Sequence, residues 1–494
     1  MPNSANAVKQ AHAENVLSNE DLLPLVLDLD NTLIRTDLLH ETVFAYLKQN
    51  PFGLFSLILW MLKGKAHLKQ QLAQRVTLQV DDIPLNDSIV AYAQAERAKG
   101  RQIVLATAAD NLLAIRMAHR FPFIDKTIAS DGITNLKGAT KARKLADLFP
   151  EGFVYAGDSK ADLAVWKHAK AGVLVETARG VARDAARLTR IEHVISRPSR
   201  LKDWIKEARL HQWAKNALVF VPLMLGGHML DLSAWASASL AFLALGILAS
   251  STYLLNDLWD IADDRRHWSK RNRPLAAGRI SIVHALAVMP VAMVVAFAIG
   301  ALVNPLVVTT LSVYLGLTVA YSMGIKRKPI LDAFTLAVLF TLRLVLGIVA
   351  VGVMASPWLL VFSMFLFASL SFAKRNTEVQ RLTDNGGAGK ISGRGYFTTD
   401  APFIMAMGVS SGIGSVLILV LYLTQDALAA DFYSDSVWLW LMPAALFLWI
   451  GRIWMLSFRG ELNDDPVAFA MKDPKSLMLA AGLALGFFLA WIGI

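Results

Sequence analysis

Residues 256–278, NDLWDIADDRRHWSKRNRPLAAG, place carboxylates and then cations in one short interval between two long apolar segments. If the helix of the first apolar segment continues here, its acidic residues share one face, because each helical residue advances by about 100°. Carboxylates held so close repel one another, and oxygen coordination of Mg²⁺ neutralises them while leaving sites for phosphate oxygens. The face comprises Asn256, Asp257, Asp260 and Asp264, with Asp263 beside it.

The cations that follow would suit the remaining charge of a bound polyphosphate. They are Arg265, Arg266, Lys270, Arg271 and Arg273. The alternative is a solvated cytoplasmic loop whose basic residues only set membrane topology. We favour the magnesium and diphosphate site, because topology requires Lys and Arg but no acids at helical spacing.

A second polar cluster begins at Tyr321 and leads into a further apolar segment. Asp332 and Arg343 are eleven residues apart, about three helical turns, so they share a face and Arg343 lies well inside the membrane. An ionisable group at that depth is a functional candidate, with a structural salt bridge as the alternative. The other members are Ser322, Lys326, Arg327 and Lys328, followed after the next segments by Lys374, Arg375, Glu378, Arg394 and Tyr396.

A third set of chemical groups lies near the N-terminus. Three apolar runs, at 25–27, 103–106 and 153–156, have the pattern of buried parallel strands, and polar residues follow each one. Because the carboxyl ends of parallel strands meet at one edge of a sheet, these residues would form one site. Asp28 and Asp30 follow the first run; one of them could attack phosphorus, while the other could protonate the leaving oxygen and then activate water. The other residues at strand ends are Thr107, Asp158 and Ser159.

Composition supports a membrane protein with a soluble part. The chain has 494 residues, 55% of them hydrophobic, a net charge of +10 and no cysteine, and its mean hydropathy is +0.45. Without cysteine it has neither disulfides nor thiolate metal sites. Its first residues lack a secretory signal pattern, so we expect a cytoplasmic N-terminus. The cations lie beside apolar segments, which favours membrane orientation and lipid phosphate over nucleic acid as their partners.

We predict four parts. A polar tail covers 1–21, a doubly wound α/β domain covers 22–198 with a helical cap at about 38–99, a basic amphipathic helix at 199–215 connects the halves, and an all-α membrane bundle covers 216–494. The apolar run 51–62 in the cap is too short to span a bilayer. We expect it to be a buried helix. Lys63, Lys65 and Lys69 directly after it support the alternative that it enters the membrane surface.

The bundle is predicted to have about nine transmembrane helices. Their approximate bounds are 216–230, 234–255, 280–301, 305–323, 331–353, 357–373, 402–424, 437–456 and 477–494. Basic residues crowd every second connection, which places those connections, like the N-terminal domain, in the cytoplasm. We therefore expect a multi-pass protein of the cytoplasmic (inner) membrane whose C-terminus lies on the opposite side.

The membrane half resembles the UbiA superfamily of intramembrane prenyltransferases. The likeness rests on the motif Asn256-Asp257-x-x-Asp260-x-x-x-Asp264. It implies that Asn256, Asp260 and Asp264 bind Mg²⁺ and a diphosphate leaving group, with Asp260 as a catalytic residue. Many members carry a second motif of two aspartates four residues apart, but here Leu336 stands four residues after Asp332.

The motif that follows is Asp264-Arg265-x-His267-x-x-Lys270-Arg271-x-Arg273-Pro274, and later come Tyr321-Ser322, Lys326-Arg327, Asp332, Leu342-Arg343 and Lys374-Arg375 with Glu378. These motifs resemble one branch, the polyprenyl-phosphate phosphoribosyltransferases, although Trp268 stands where that branch often has proline. The resemblance implies phosphoribosyl diphosphate as donor and polyprenyl phosphate as acceptor. A lipid phosphate is already an anion, so it needs cations at membrane depth and no general base. The implied substrate-binding residues are Lys270, Arg273, Tyr321, Lys326, Asp332, Arg343, Lys374 and Arg375.

The soluble half resembles capped phosphatases of the haloacid-dehalogenase superfamily. The motifs are Asp28-x-Asp30-x-Thr32, Thr107, Lys141 within Gly138-x-x-Lys141, and Gly157-Asp158-Ser159-x-x-Asp162. The resemblance implies that Asp28 is the nucleophile, Asp30 the general acid and base, and Asp158 a Mg²⁺ ligand. Asp28 and Asp30 would complete the metal site, Thr107 and Lys141 would hold phosphate, and Asp162 would support them. Lys137 is a less favoured candidate for the lysine.

The combined hypothesis is a bifunctional enzyme that makes a lipid-linked pentose for cell-envelope glycans, with Mg²⁺ in both halves. One alternative is prenyl transfer from a prenyl diphosphate to an aromatic or other small acceptor, with an unrelated phosphatase domain. Another is a non-catalytic membrane module that binds phosphate ligands. The sequence does not determine the oligomeric state.

Overall fold

The computed structural model describes residues 22–196, 200–384, 386–387, 389–391, 393–428, 433–462 and 465–492. The predicted tail 1–21 and the predicted end of the soluble domain at 198 lie outside the described residues. By its internal contacts the chain divides into two compact units. The first is Met1–Glu207 with Asp257–Ala287, and the second is Ala208–Asn256 with Val288–Ile494. No sequence pattern predicted that residues 257–287 would group with the soluble half.

The first unit contains a parallel sheet, which confirms the predicted α/β fold. Within its described residues the six strands have the order β3-β2-β1-β4-β5-β6, and every neighbouring pair is parallel. The four central strands β1, β2, β4 and β5 are buried almost throughout, as expected where both faces of a parallel sheet are covered. The bounds are β1 Leu25–Leu27, β2 Ile103–Asp110, β3 Lys126–Ser130, β4 Val154–Gly157, β5 Ala171–Val175 and β6 Arg190–Ile195. Thr107 therefore lies inside β2, and not beyond its end as predicted.

Nine helices accompany this sheet in the described residues. They are α1 Leu38–Gln49, α2 Leu54–Leu62, α3 Lys65–Arg75, α4 Asp87–Ala98, α5 Asn111–Ala118, α6 Ala139–Leu148, α7 Leu163–Trp166, α8 Arg179–Leu188 and α9 Arg200–Glu207. The first four form the predicted helical cap between β1 and β2.

Helix α2 corrects the prediction of a buried cap helix. In this fully described helix only Leu57 is buried, and it packs with Tyr46 and Leu72. Phe55 is 73% exposed and Leu62 79% exposed. The helix is apolar all around, so one packed side leaves the others uncovered.

The second unit is helical. Helix α12 falls between its helices in chain order but belongs to the first unit. The bounds are α10 Val221–Leu225, α11 Leu232–Trp259, α12 Ile261–Arg266, α13 Ile282–Val303, α14 Pro305–Met323, α15 Leu331–Val351, α16 Pro357–Asp384, α17 Ala401–Tyr422, α18 Leu441–Phe458, α19 Pro466–Ala470 and α20 Pro474–Ile492. Eight helices among the described residues are long and apolar enough to cross a membrane. The protein is therefore an integral multi-pass membrane protein.

The first of the nine predicted spans, at 216–230, is not among these eight. The chain forms a 3-10 helix at Leu210–Phe220 and then the five-residue α10, which ends before Gly226. The predicted connector helix at 199–215 is also divided, because Arg209 has a φ of 51° in the left-handed region. Helix α9 ends before it.

Candidate functional site

The carboxyl end of β1 carries a buried ion pair. Asp28 follows the strand, and its Oδ1 lies 2.9 Å from Nζ of Lys141 near the start of α6. Burial raises the pKa of Asp28, although Lys141 opposes this shift. Burial by itself would lower the pKa of Lys141, but the carboxylates of Asp28 and Asp162 raise it above its ordinary value. Lys141, which the sequence favoured over Lys137, therefore lies beside the predicted nucleophile and keeps its charge there.

Two carboxylates that follow β4 meet Asp28. One oxygen from each of Asp28, Asp158 and Asp162 lies within 4.8 Å of the other two. Asp162 is already engaged, since it accepts hydrogen bonds from the Tyr155 hydroxyl at 2.8 Å and the Ser159 hydroxyl at 2.8 Å. Burial and the charge of Asp162 raise the pKa of Asp158 to about 8. This oxygen-only set with excess negative charge suits Mg²⁺, and Asp28 and Asp158 have oxygens available to hold it.

Asp30 and Thr107 lie beside this group and are not members of it. The Asp30 Oδ1 accepts a hydrogen bond of 2.9 Å from the backbone N–H of Leu38, the first residue of α1. Burial and the Asp37 carboxylate raise the pKa of Asp30 to about 8, which favours a protonated carboxyl at neutral pH. The Thr107 hydroxyl is fully buried and accepts a hydrogen bond of 3.0 Å from the Ala109 N–H.

Lys69 lines the same small cavity as Asp30, although the sequence pattern grouped it with the lysines that follow the apolar run 51–62. Its Nζ donates to the backbone oxygen of Ala108 and, at 3.2 Å, to Oδ1 of Asn135. Burial lowers the pKa of Lys69, and the charge of Asp30 opposes that shift. The surrounding small cavity is lined by Asp30, Leu38, Leu39, Thr42, Lys69, Ala109, Asp110 and Leu113. No sequence signal separates Lys69 from the lysines after the apolar run, because its position depends on the tertiary packing of α3.

The acidic stretch lies across a helix break. Helix α11 ends at Trp259, and Asp260 has φ −95° and ψ 10°, outside the α-helical region. The predicted uninterrupted face therefore ends at this point. Asp260 is the N-cap residue of α12, and its carbonyl oxygen accepts a hydrogen bond of 2.9 Å from the Asp264 N–H.

Arg273 supplies counter-charge in this stretch. Its Nη1 lies 3.0 Å from the Asp257 carboxylate and 2.6 Å from that of Asp264. Lys270 is 3.9 Å from Asp264. Burial raises the pKa of Asp264, although Arg273 opposes the shift. Asp257, seven residues before Asp264 on the same predicted face, therefore belongs with the site, although the predicted ligand set omitted it.

The predicted magnesium ligands of this stretch are Asn256, Asp260 and Asp264. Asn256 and Asp260 are half-buried. Within the described residues, three acidic or histidine side chains converge as potential metal ligands at Asp28, Asp158 and Asp162 and nowhere else. In the same stretch Asp257 and Asp264 form an acid pair bound by Arg273.

Asp332 has two close partners in the second unit, Tyr396 and Arg375. It is fully buried, accepts a hydrogen bond of 2.7 Å from the Tyr396 hydroxyl, and lies 3.0 Å from Nε of Arg375. Tyr396 accepts in turn from the Ile330 N–H at 2.8 Å. With both an arginine and a phenol bound, this carboxylate serves as an anchor for Arg375.

Arg375 continues the network toward Tyr321. It forms an ion pair with Glu378, which lies 3.6 Å from Nε of Arg394. Arg394 donates to the Tyr321 hydroxyl at 2.9 Å. Lys326, in the turn Ile325–Arg327, is half-buried. Asp332 therefore contacts Arg375 directly, and Glu378 and Arg394, which the sequence named only as neighbours of the motifs, connect Arg375 to Tyr321.

Arg343 and Lys374 have separate surroundings. Nε of Arg343 donates to Oδ1 of Asn216 at 3.0 Å, and Nη2 donates to the Tyr314 hydroxyl at 3.3 Å. Both side-chain partners are neutral, and no acidic residue in the described part of the chain forms an ion pair with Arg343, in contrast to the alternative of a structural salt bridge. Lys374 lies 3.8 Å from Asp465.

Comparison with known sequences identifies the class. The sequence profile of the UbiA prenyltransferase family matches residues 219–473, just over half of the 494 residues. The chain therefore belongs to the UbiA prenyltransferase family. This result agrees with the membrane helices and confirms the family predicted for the membrane half.

Three relatives define the similarity further. The y4nM protein of Sinorhizobium fredii, whose function is uncharacterised, is 39% identical over 472 residues, which are 95% of this chain and 91% of that protein. The nodulation protein NoeC of Azorhizobium caulinodans is 34% identical over 57% of this chain and 91% of its own length. A decaprenyl-phosphate phosphoribosyltransferase of Mycobacterium tuberculosis is 28% identical over 58% of this chain and 91% of its own length. The similarity to y4nM is long enough to include both halves of the chain.

Proposed function

We propose that the chain is a bifunctional membrane enzyme. Its membrane half would transfer 5-phosphoribose from phosphoribosyl diphosphate to polyprenyl phosphate, and its soluble half would remove the 5-phosphate from the lipid-linked sugar. The observation that carries the proposal is the assembled phosphatase-type site of Asp28, Lys141 and Asp158 in a chain whose other half belongs to the UbiA family. The product would be a pentose donor for cell-envelope glycans.

The partners of Asp332 favour phosphoribosyl transfer over prenyl transfer to an aromatic acceptor. A second magnesium site would need carboxylate oxygens that are open to the metal, whereas Asp332 is buried against Arg375 and Tyr396. The network holds cations instead, as an anionic acceptor requires. The relative named as a decaprenyl-phosphate phosphoribosyltransferase supports the same choice.

In the transfer step, an oxygen of the lipid phosphate would bond to the anomeric carbon of ribose while the bond from that carbon to diphosphate breaks. Carbon becomes cationic and the leaving group gains negative charge, so cations near that group lower the barrier. Lys270 and Arg273 would stabilise the diphosphate. Arg343, Lys374 and Arg375 would hold the lipid phosphate, which needs no proton removed before it attacks.

In the hydrolytic step, Asp28 would attack the 5-phosphate and Asp30 would protonate the departing ribose oxygen. A pKa of about 8 for Asp30 suits this role, because the carboxyl carries a proton at neutral pH. Asp30 would then take a proton from the water that releases phosphate from Asp28. Lys141 would keep the nucleophile ionised and bind phosphate oxygen.

Both halves have residues that could hold magnesium, but in the acidic stretch one of the proposed ligands, Asp264, is bound by Arg273. Asp28 and Asp158 would hold it in the soluble half, where it would offset the charge of the incoming phosphate. In the acidic stretch Asn256 and Asp260 would hold it, with Asp264 as the third ligand once it is released from Arg273.

Two substitutions test the order of steps in the purified full chain supplied with labelled phosphoribosyl diphosphate, polyprenyl phosphate and Mg²⁺. Asp260→Asn should lower labelled lipid about 100-fold. Asp28→Asn should leave labelling intact but cause a phosphorylated lipid to accumulate, which mass spectrometry would identify.

Asp263→Asn is the matched control, because Asp263 is exposed in the same stretch and has no assigned role. It should retain wild-type labelling. Absence of labelled lipid from the wild-type chain would reject the transferase assignment. Absence of the phosphorylated lipid in Asp28→Asn would reject the proposed sequence of steps.

A further inference from the structure

A buried ion pair joins the phosphatase fold to the acidic stretch. Glu41 on α1 and Arg265 on α12 are 4% and 6% exposed. Their contact is bidentate, with Nη2 2.6 Å from Oε1 and Nη1 3.1 Å from Oε2. Such paired contacts fix orientation as well as distance. Removing one partner would leave the other charge buried without compensation.

The remaining polar atoms of the pair are also bound. Oε1 of Glu41 accepts a hydrogen bond of 2.6 Å from the Thr36 hydroxyl. Nε of Arg265 donates at 3.2 Å to the backbone oxygen of Ala276. Arg265 therefore connects three segments, namely α1, its own helix α12, and the chain that follows Arg273.

Each end of the pair lies next to a proposed active site. Helix α1 begins at Leu38, whose N–H binds the Asp30 carboxylate at 2.9 Å. Arg265 directly follows Asp264, which binds Arg273 at 2.6 Å. A shift of α12 would move Asp264 and with it the bridge through Arg273 to Asp257.

Further contacts fasten the same stretch to the soluble fold within the first unit. Arg279 lies 2.8 Å from Asp203, and Arg266 lies 2.6 Å from Asp82 at an exposed position. Gly278 has a φ of 68°, and a Cβ at this position would lie 2.4 Å from the backbone oxygen of Arg35. Glycine is therefore required there for the close approach.

We propose that the soluble domain is a required scaffold for the transferase, with Glu41 and Arg265 as positioning residues for the acidic stretch. This inference rests on the proposed function. Glu41 contacts no substrate in that scheme; it holds Arg265, and Arg265 sets the position of α12 and of Asp264. The phosphatase domain thus has a second role that does not depend on its own catalysis.

The test compares Glu41→Gln with Asp82→Asn in the full chain. Glu41→Gln removes the buried charge, whereas Asp82→Asn removes the exposed pair made by the neighbouring Arg266. We expect Glu41→Gln to raise KM for phosphoribosyl diphosphate about 10- to 100-fold, with KM for polyprenyl phosphate unchanged. Hydrolysis of a small soluble phosphate ester should stay at the wild-type rate, which shows that the soluble domain is folded. Asp82→Asn should match wild type in all three measurements.

A readout independent of activity is hydrogen–deuterium exchange at residues 261–279. Exchange should increase in Glu41→Gln and stay unchanged in Asp82→Asn. If Glu41→Gln does not fold, Arg265→Lys, which keeps the charge but loses the bidentate contact, takes its place. Wild-type exchange and KM in a folded variant would overturn the inference. If the wild-type chain forms no labelled lipid, the proposed function fails, and the exchange measurement still decides whether the pair positions this stretch.

Discussion

Ionisation of Asp30 and Asp158 is unfavourable in the folded protein, and the neighbouring cations relieve this cost only in part. Burial and neighbouring carboxylates raise the pKa of each to about 8, far above the ordinary value of 3.8. In the folded state both groups favour the protonated form. Their contribution to stability is therefore greatest below the pKa of the unfolded chain and is lost as pH rises through about 8.

Magnesium should reverse this loss, because it binds the ionised carboxylates. We expect the metal-free soluble unit to unfold at a lower temperature at pH 8 than at pH 5.5. Saturating Mg²⁺ should raise the unfolding temperature by roughly 5 to 10 °C at pH 8 and by less at pH 5.5, where protons compete. The measurement is the temperature at which peptides from residues 22–196 of the full chain become susceptible to protease.

Asp158→Asn is the control for this effect, because it removes one charge and one ligand together. Its unfolding temperature should depend less on pH and should respond little to Mg²⁺. An equal response of the wild-type chain to Mg²⁺ at both pH values would contradict the assignment of the metal to these carboxylates.

The sequence predicted which residues at the strand ends belong to the candidate site, but it did not predict the cap residue Lys69. Asp28, Asp158 and Asp162 converge because parallel strands end at one edge of the sheet. Lys69 enters the same region from α3, and only the packing of that helix brings it there. Similarly, helical spacing grouped Asp257 with Asp264, but it did not reveal that Arg273 binds both.

At the scale of elements, helix α2 presents an apolar surface that the protein leaves uncovered. Its side chains at Phe55, Leu59 and Leu62 are all more than half exposed. Moving such side chains from water into an apolar environment contributes about 1.5–3 kcal/mol each. Lys63 and Lys65 follow directly and would meet lipid phosphates. In a chain with membrane-spanning helices, these features favour insertion of α2 into the membrane surface.

The absence of cysteine from the sequence allows a direct test of this insertion. Phe55→Cys, labelled with a fluorophore, should lose most of its emission in nanodiscs that contain lipids with nitroxide groups. Ile133→Cys is the matched control, since Ile133 is an exposed apolar residue of the same unit at 91% exposure. Its label should keep its emission. Equal emission from the two labels would show that α2 stays in water.

Hydropathy located the long membrane helices but not the breaks between shorter elements. Eight predicted segments correspond to long helices of the described chain, because a run of about 20 apolar residues satisfies its own backbone only as a helix. The break at Asp260 and the left-handed residue Arg209 depend on single backbone dihedrals. Neither is a glycine or proline that would have indicated a break.

At the scale of the whole chain, two reactions in sequence would share one polypeptide and one membrane. The proposed intermediate is a lipid, so it stays in the bilayer in which it forms. A covalent link raises the local concentration of the second site near that intermediate. The grouping of residues 257–287 with the soluble fold is a property of the whole molecule, and no local pattern in the sequence predicted it.

Complementation between inactive chains measures how far the two reactions depend on this link. Asp260→Asn keeps the phosphatase site and Asp28→Asn keeps the transferase site, so together they contain one working copy of each. When the two variants share a liposome, we expect the dephosphorylated lipid to form after a lag in which the phosphorylated lipid accumulates, because the intermediate must diffuse between chains. Wild-type chains at the same density should show no such lag, and variants in separate liposomes should make no dephosphorylated lipid, since the intermediate does not leave its bilayer. A lag of equal length in the wild type would show that linkage gives no advantage, and product from separate liposomes would contradict a membrane-bound intermediate.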